Sequence, residues 1–465
     1  MKQVSMKMNR RSFLAATVAG VASRAFADSP AFLSNDVGAL QSVLVHTPGA
    51  EGRRGLGFGG GANSIGNTPL SEDAAVEHRA FVEALRCGGA EVVEIRQALD
   101  DACGVARSRG ALKPWLRAWM PAMSPFEKEV DGEALLGATK KFAYHLDPEG
   151  EFLPANEPVR SIYFARDAGA MTPRGMVISN FANEARTIES ALYRFAFDHA
   201  PRLAKYPIAF DAVEERLTLE GGDLMVADDR TLFLGVGNRT NPAAAKRLAQ
   251  RLSMDVLAVQ MPSGSNRVWS DAAARTPIHN LLLHLDTIAT FVDRQRVLTL
   301  PWFLEAKYEG QDPLTRMLRG MSKLPRASES DIDHMCAALR DVGKLRMFRA
   351  GTGEVDASVN GMKLVDYLRK RGVEVIFAGD AIPGDGTSFE ELAQYASEVV
   401  IRELRGQAAN VVATSPGKVI AYAGNSATLE GLKHAGVEVT LFKGTELGRN
   451  NGGPHCMTMP LERRL

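Results

Sequence analysis

Val411-Val412-Ala413 and Lys418-Val419-Ile420-Ala421-Tyr422 stand on either side of Ser415-Pro416-Gly417. Two apolar runs separated by a turn signal predict an antiparallel hairpin. Asn425 to His434 then reads as a short helix that stops near Gly436, and Val437-Glu438-Val439-Thr440-Leu441 alternates as a strand. The unit is strand, strand, helix, strand. The same order occurs upstream: Asp223 to Val226, a polar Asp228-Asp229-Arg230 turn, Thr231 to Val236, a helix over Ala243 to Leu252, then Val256 to Val259. Weaker copies begin at Ser42-Val43-Leu44-Val45 and at Leu285 to Leu300. Recurrence at uneven spacing predicts α/β modules packed around an axis, each burying an apolar face it could not bury alone.

Length alone, 465 residues, would suggest about three domains. The repeated cassette argues instead for one compact body over residues 28–465. The stretch 71–149 departs from the pattern: it is mostly helix-like, with Leu112, Trp115, Leu116 and Trp119 at helical spacing and no clear strand beyond Glu91 to Ile95. It reads as a helical insertion, and its tryptophans as core. Hydrophobic residues at 45% and charged ones at 24% exclude wholesale disorder, collagen and a membrane bundle. Lysine plus arginine (55) balances aspartate plus glutamate (55), so no overall basic field invites nucleic acid. The four cysteines, at 87, 103, 336 and 456, are too scattered for a disulfide framework or metal-ligand spacing. A functional cysteine would act singly.

Asn9-Arg10-Arg11-Ser12-Phe13-Leu14, the weakly apolar run Ala15 to Ala22 and the small-residue site Ala25-Phe26-Ala27 come in the order of a twin-arginine export signal. The apolar run is well short of the ~20 residues that span a bilayer. The expectation is a cleaved signal over 1–27, export in the folded state to the periplasm or beyond, the twin-arginine machinery as a transient partner, and no membrane anchor after cleavage.

Polar residues at strand ends carry the chemistry. Cys456 sits in Asn450-Asn451-Gly452-Gly453-Pro454-His455-Cys456-Met457-Thr458, where glycines would permit unusual backbone angles and close approach of a ligand. A lone cysteine is usually a small buried hydrophobe, but this polar loop favours a functional thiol. His284 in His284-Leu285-Asp286-Thr287 is its best proton partner: were the segment a strand, His284 and Asp286 would project into one pocket while Leu285 packs behind. Leu219-Glu220-Gly221-Gly222-Asp223 places a carboxylate before two glycines, and Tyr163-Phe164-Ala165-Arg166-Asp167 adds an Arg-Asp pair. Each by itself could be an ordinary turn or surface feature.

Taken together, these segments resemble arginine deiminases of the guanidine-modifying, or amidinotransferase, superfamily. The likeness runs from about Val43 onward and is strongest over 220–240, 284–301 and 410–460, with Glu446-Leu447-Gly448-Arg449 and Gly452 to Thr458 its most specific motif. It implies a pseudo-fivefold β/α propeller of the pentein type, with the helical insertion in the first module. It implies Cys456 as nucleophile, His284 as acid and base, Glu220 holding the imidazole, and Asp167 and Asp286 gripping the guanidinium. Arg186, in Asn183-Glu184-Ala185-Arg186, and Arg239, in Gly237-Asn238-Arg239-Thr240, are nominated for an α-carboxylate. The expected reaction is arginine to citrulline and ammonia with neither metal nor organic cofactor.

The chain also departs from the pattern. Ser161 stands where the family often has asparagine, Asn451 where some members have arginine, and Arg402-Glu403-Leu404-Arg405 where many read Arg-Glu-Gln-Trp. The first two fall at the carboxylate end of the substrate. Two other readings therefore stay open: a catalyst for methylated arginines or amidino transfer, and an exported guanidine-binding protein without turnover.

Overall fold

The helix Pro242–Leu252 shows how local chemistry builds each module. Asn241 caps it, its side chain accepting from the Ala243 N–H, and Pro242 supplies a pre-set φ where no donor is needed. Ala244, Ala245, Leu248, Ala249 and Leu252 lie on one buried face against the sheet. Ser253, left-handed at φ 51, ends it and turns the chain into the strand Asp255–Gln260.

The computed structural model describes residues 32–53, 69–138, 145–146, 152–153, 159–262, 282–305, 307–310, 312–321 and 329–464. The export signal expected over 1–27 lies outside them.

Among the described residues, five sheets follow one plan, an antiparallel pair joined to a third strand in parallel. Gly169–Thr172 and Gly175–Ile178 are followed by the helix Thr187–His199 and the parallel strand Ile208–Asp211. Leu224–Val226 and Thr231–Val236 are followed by Pro242–Leu252 and Asp255–Gln260, and this sheet is widened by Leu345–Phe348 and Val355–Asp356. Ala289–Phe291 and Arg296–Thr299 join Glu374–Phe377. Val412–Ser415 and Lys418–Tyr422 are followed by Ser426–His434 and Glu438–Phe442, the cassette read from sequence. In the remaining sheet Met459–Arg464 pairs with Ala39–Val45, which runs parallel to Glu91–Glu94 across the helix Asp73–Cys87. Arg463, 5% exposed, fastens this joint by donating from Nη1 to the carbonyls of Gly38 and Ala413. Among the described residues no sheet closes into a barrel.

Beyond Glu94 the chain adds the helices Ile95–Ser108, Leu112–Trp119 and Gly132–Leu135. Trp115 is buried and its ring lies 4.6 Å from that of Phe195, so it packs in the core as read from its spacing. Among the described residues no helix is long and apolar enough to cross a membrane.

Candidate active site

The chemistry-bearing residues occupy equivalent places, each just before the first strand of a module. Asp167 precedes Gly169–Thr172, Glu220 and Asp223 precede Leu224–Val226, His284 and Asp286 precede Ala289–Phe291, Asn410 precedes Val412–Ser415, and Cys456 precedes Met459–Arg464. Hydrogen bonds link these five starts into a circuit. The N–H of Arg166 donates to the Cys456 carbonyl and that of Gly221 to the Asp167 carbonyl. The N–H of Leu285 donates to Asp223 Oδ1, Asn410 Nδ2 donates to the Asp286 carbonyl, and the N–H of Cys456 donates to Asn410 Oδ1. Each module thus delivers its polar residue to the same place.

The segment at His284 is not the strand expected from sequence. His284 is extended (φ −133°, ψ 164°), but Leu285–Thr287 is a tight 3₁₀ turn. The turn sends the two side chains to different partners rather than to one face. His284 Nε2 is 2.7 Å from Glu220 Oε2 and Nδ1 is 3.5 Å from Asp167 Oδ1. Asp286 Oδ2 accepts from the Cys456 thiol at 3.4 Å and lies 2.9 Å from His455 Nδ1. Leu285 is buried in the core as expected.

Two glycines leave room for the protein's own side chains, while Gly452 borders the cavity beside Cys456. A Cβ on Gly222 would lie 2.7 Å from His284 Nδ1, so Gly222 leaves room for the imidazole itself. A Cβ on Gly453 would come within 2.7 Å of Asn410 Oδ1. The left-handed backbone in this loop belongs to Asn451, at φ 64.

Ser161, Asp167, Arg186, Arg239, His284 and Cys456 border a small cavity of about 20 Å³, with Asn450, Asn451 and Gly452 on its rim. Glu220 and Asp286, both 0% exposed, do not border it; they lie behind His284 and Cys456. Arg186 does, but its guanidinium is already engaged. It makes a two-pronged pair with Glu189 (2.8 and 2.8 Å) and reaches Asp167 Oδ2 at 2.8 Å. Arg239 Nη1 is 3.4 Å from Glu220 Oε1.

These contacts set the protonation states. Burial opposes a charge on His284, yet Asp167, Glu220 and Asp223 outweigh it and raise its pKa to about 9. Burial likewise opposes the Glu220 carboxylate, but Arg239 and His284 hold its pKa down at about 2. Burial pushes the Cys456 thiol well above its ordinary value, and Asp286 and Asp167 push it further. At neutral pH the site therefore pairs an imidazolium with a neutral thiol. Among the described residues no group of three or more His, Cys, Asp and Glu is placed to hold a metal.

The sequence model of a family described as arginine deiminase matches residues 139–360 and 393–463, well over half of the chain. The chain belongs to the arginine deiminase family. Members of this family are hydrolases of guanidino carbon–nitrogen bonds. The arginine deiminase of Streptococcus uberis is 26% identical over 463 residues, covering 94% of this chain and 99% of that one. That of Clostridium perfringens is 26% identical over 458 residues, covering 93% and 97%. Among solved structures, DDAH from Pseudomonas aeruginosa complexed with citrulline is 16% identical with a TM-score of 0.47, covering 90% of this chain and 99% of that one.

Two residues of this candidate site in the arginine deiminase family chain were not singled out from sequence. His455 fixes Asp286, and Asn410 bridges Asp286 and Cys456, its Nδ2 lying 3.1 Å from Sγ. The signal for Asn410 exists only in the module comparison: it stands where the other modules carry Asp167 and Cys456. Asn410→Asp keeps an acceptor for the Cys456 N–H, removes the donor to sulfur and adds a negative charge beside it. The expected result is a fall in kcat/KM of roughly 10²-fold with slower alkylation of Cys456 by iodoacetamide. An unchanged alkylation rate would remove Asn410 from the thiol's environment.

Proposed function

We propose that the protein hydrolyses free L-arginine to L-citrulline and ammonia through a covalent intermediate on Cys456. The observation that carries this reading is a buried carboxylate oxygen in the wall of the cavity. Asp167 Oδ1 has no hydrogen-bond partner among the described residues and faces His284 Nδ1 at 3.5 Å, while the likewise unpartnered Asp286 Oδ1 lies behind Cys456. Buried acceptors of this kind call for donors, and a guanidinium supplies planar N–H groups in a fork. Arg186 on Asp167 illustrates that fit, since one guanidinium is already held there.

In this reading the substrate cation offsets the two carboxylates that keep the Cys456 proton in place, and the thiol ionises as substrate binds. The thiolate attacks the guanidinium carbon, forming a C–S bond. The tetrahedral adduct collapses with cleavage of a C–N bond while His284, protonated below about pH 9, gives its proton to the departing nitrogen. The neutral imidazole then takes a proton from water as the oxygen adds to the thiouronium carbon. Cleavage of the C–S bond returns the thiolate and leaves the ureido product. Glu220 holds His284 throughout.

The same reading arranges the five modules as a pseudo-fivefold propeller, which the circuit of hydrogen bonds between module starts supports. Residues 28–465 then form one catalytic domain, and the Arg10-Arg11 segment directs export to the periplasm or beyond.

Incubation with arginine, N-methylarginines and agmatine, followed by assay of ureido product and ammonia, tests the proposal. Arginine is expected to be turned over with equal yields of both products. Ureido product from N-methylarginines alone would move the substrate class, acceptor-dependent guanidine formation would indicate transfer, and binding without any product would end the hydrolase reading.

A further inference from the structure

Beside the catalytic cavity lies a second, larger space of about 730 Å³ against the cavity's 20 Å³. Arg402, Arg405, Lys443 and Arg449 line it, together with Tyr422, and no aspartate or glutamate does. Asn451 borders both spaces. The wall between them is the loop that carries the cavity rim, and Tyr422 Oη ties the two by donating to the Gly452 carbonyl at 3.0 Å.

The balance of charge differs sharply across that loop. Inside the cavity both arginines are answered by carboxylates, Arg186 by Asp167 and Glu189, Arg239 by Glu220. In the groove, Arg405 has no ion pair or hydrogen bond among the described residues. The carboxylate paired with Lys443 there, Glu77, lies 3.9 Å away. Arg402 donates to the neutral Ser426 hydroxyl, and only Arg449 has a close carboxylate, Glu446. The start of the helix Ser426–His434 adds nothing, because Glu403 already accepts from the Ala427 N–H and the Thr428 hydroxyl. Uncompensated positive charge therefore begins where the cavity ends.

We propose that this groove binds the anionic end of a guanidino substrate longer than arginine, a carboxylate carried several atoms beyond the α-carbon, while the guanidinium lies against Cys456. This rests on the guanidine-hydrolysis reading above and extends it to a substrate class. A recessed, one-signed groove focuses its field on such a group despite the exposure of the individual side chains.

The test compares the C-terminally amidated dipeptide arginyl-glutamate with its arginyl-glutamine counterpart, so that the side-chain carboxylate is the one anionic group that differs. In the wild type kcat/KM is expected to favour the acidic dipeptide by about tenfold at low salt, and the preference shrinks as salt screens the groove. Arg405→Gln with Lys443→Gln should bring the ratio close to one and leave arginine turnover unchanged. Equal rates for the two dipeptides, or a preference that survives the double substitution, would overturn the proposal. So would free glutarate altering arginine turnover without competing, which would make the groove a site for a separate anion. Calorimetric binding of both dipeptides to Cys456→Ser gives a second readout. If no guanidine is turned over, the reaction assignment falls, and this binding difference still decides the groove.

Discussion

Cys456→Ser is expected to abolish ureido product, lowering kcat by roughly 10⁴-fold or more, while arginine still binds. A serine hydroxyl in the same place keeps the shape of the cavity. It is a far poorer nucleophile, because a hydroxyl ionises far less readily than a thiol and the burial and two carboxylates that oppose ionisation of Cys456 remain in place. The substitution is small and buried, so the melting temperature should shift little. Product formation by quench-flow, paired with calorimetry for binding, checks both halves. Residual turnover within tenfold of the wild type would mean that the sulfur never forms a bond to carbon.

His284→Gln should cost between about 10² and 10⁴ in kcat, the range of a proton-transfer group. Its titration gives a more specific test. The three carboxylates around His284 favour its charged form, so the proton donor is present below about pH 9 and is lost as pH rises through that value. The pH profile of kcat/KM should therefore fall on its alkaline side near 9. Glu220→Gln removes one of the charges that raise the imidazole, so the fall should move toward lower pH. An alkaline limb that stays in place in Glu220→Gln would show that another group controls it.

The cassette was legible because hairpin, helix and strand each leave a local pattern, and the copies that contain Thr231–Val236 and Lys418–Tyr422 keep theirs. Cys456 and His284 were legible through their motifs. The geometry joining them was not. The alternation argument for His284 and Asp286 failed because a tight turn begins one residue after the histidine, fixed by the Leu285 N–H reaching Asp223, some sixty positions away. Asn410 ends a helical stretch with no neighbouring polar motif, and its importance emerges only when it stands beside Cys456. Arg186 was read as a ligand for substrate carboxylate on motif context; the sequence held no hint that Glu189, one helical turn on, would claim two of its nitrogens.

The sheet that follows Cys456 is closed by two stretches of chain that synthesis separates widely: Arg463 meets Gly38 across 425 positions. The sulfur is delivered by the segment on one side of that seam, and its cage by the other modules. Opening of that seam is expected to loosen the segment that carries the sulfur while most of the protein stays folded, so turnover should fail below the melting temperature of the whole and a hardened joint should lengthen working life.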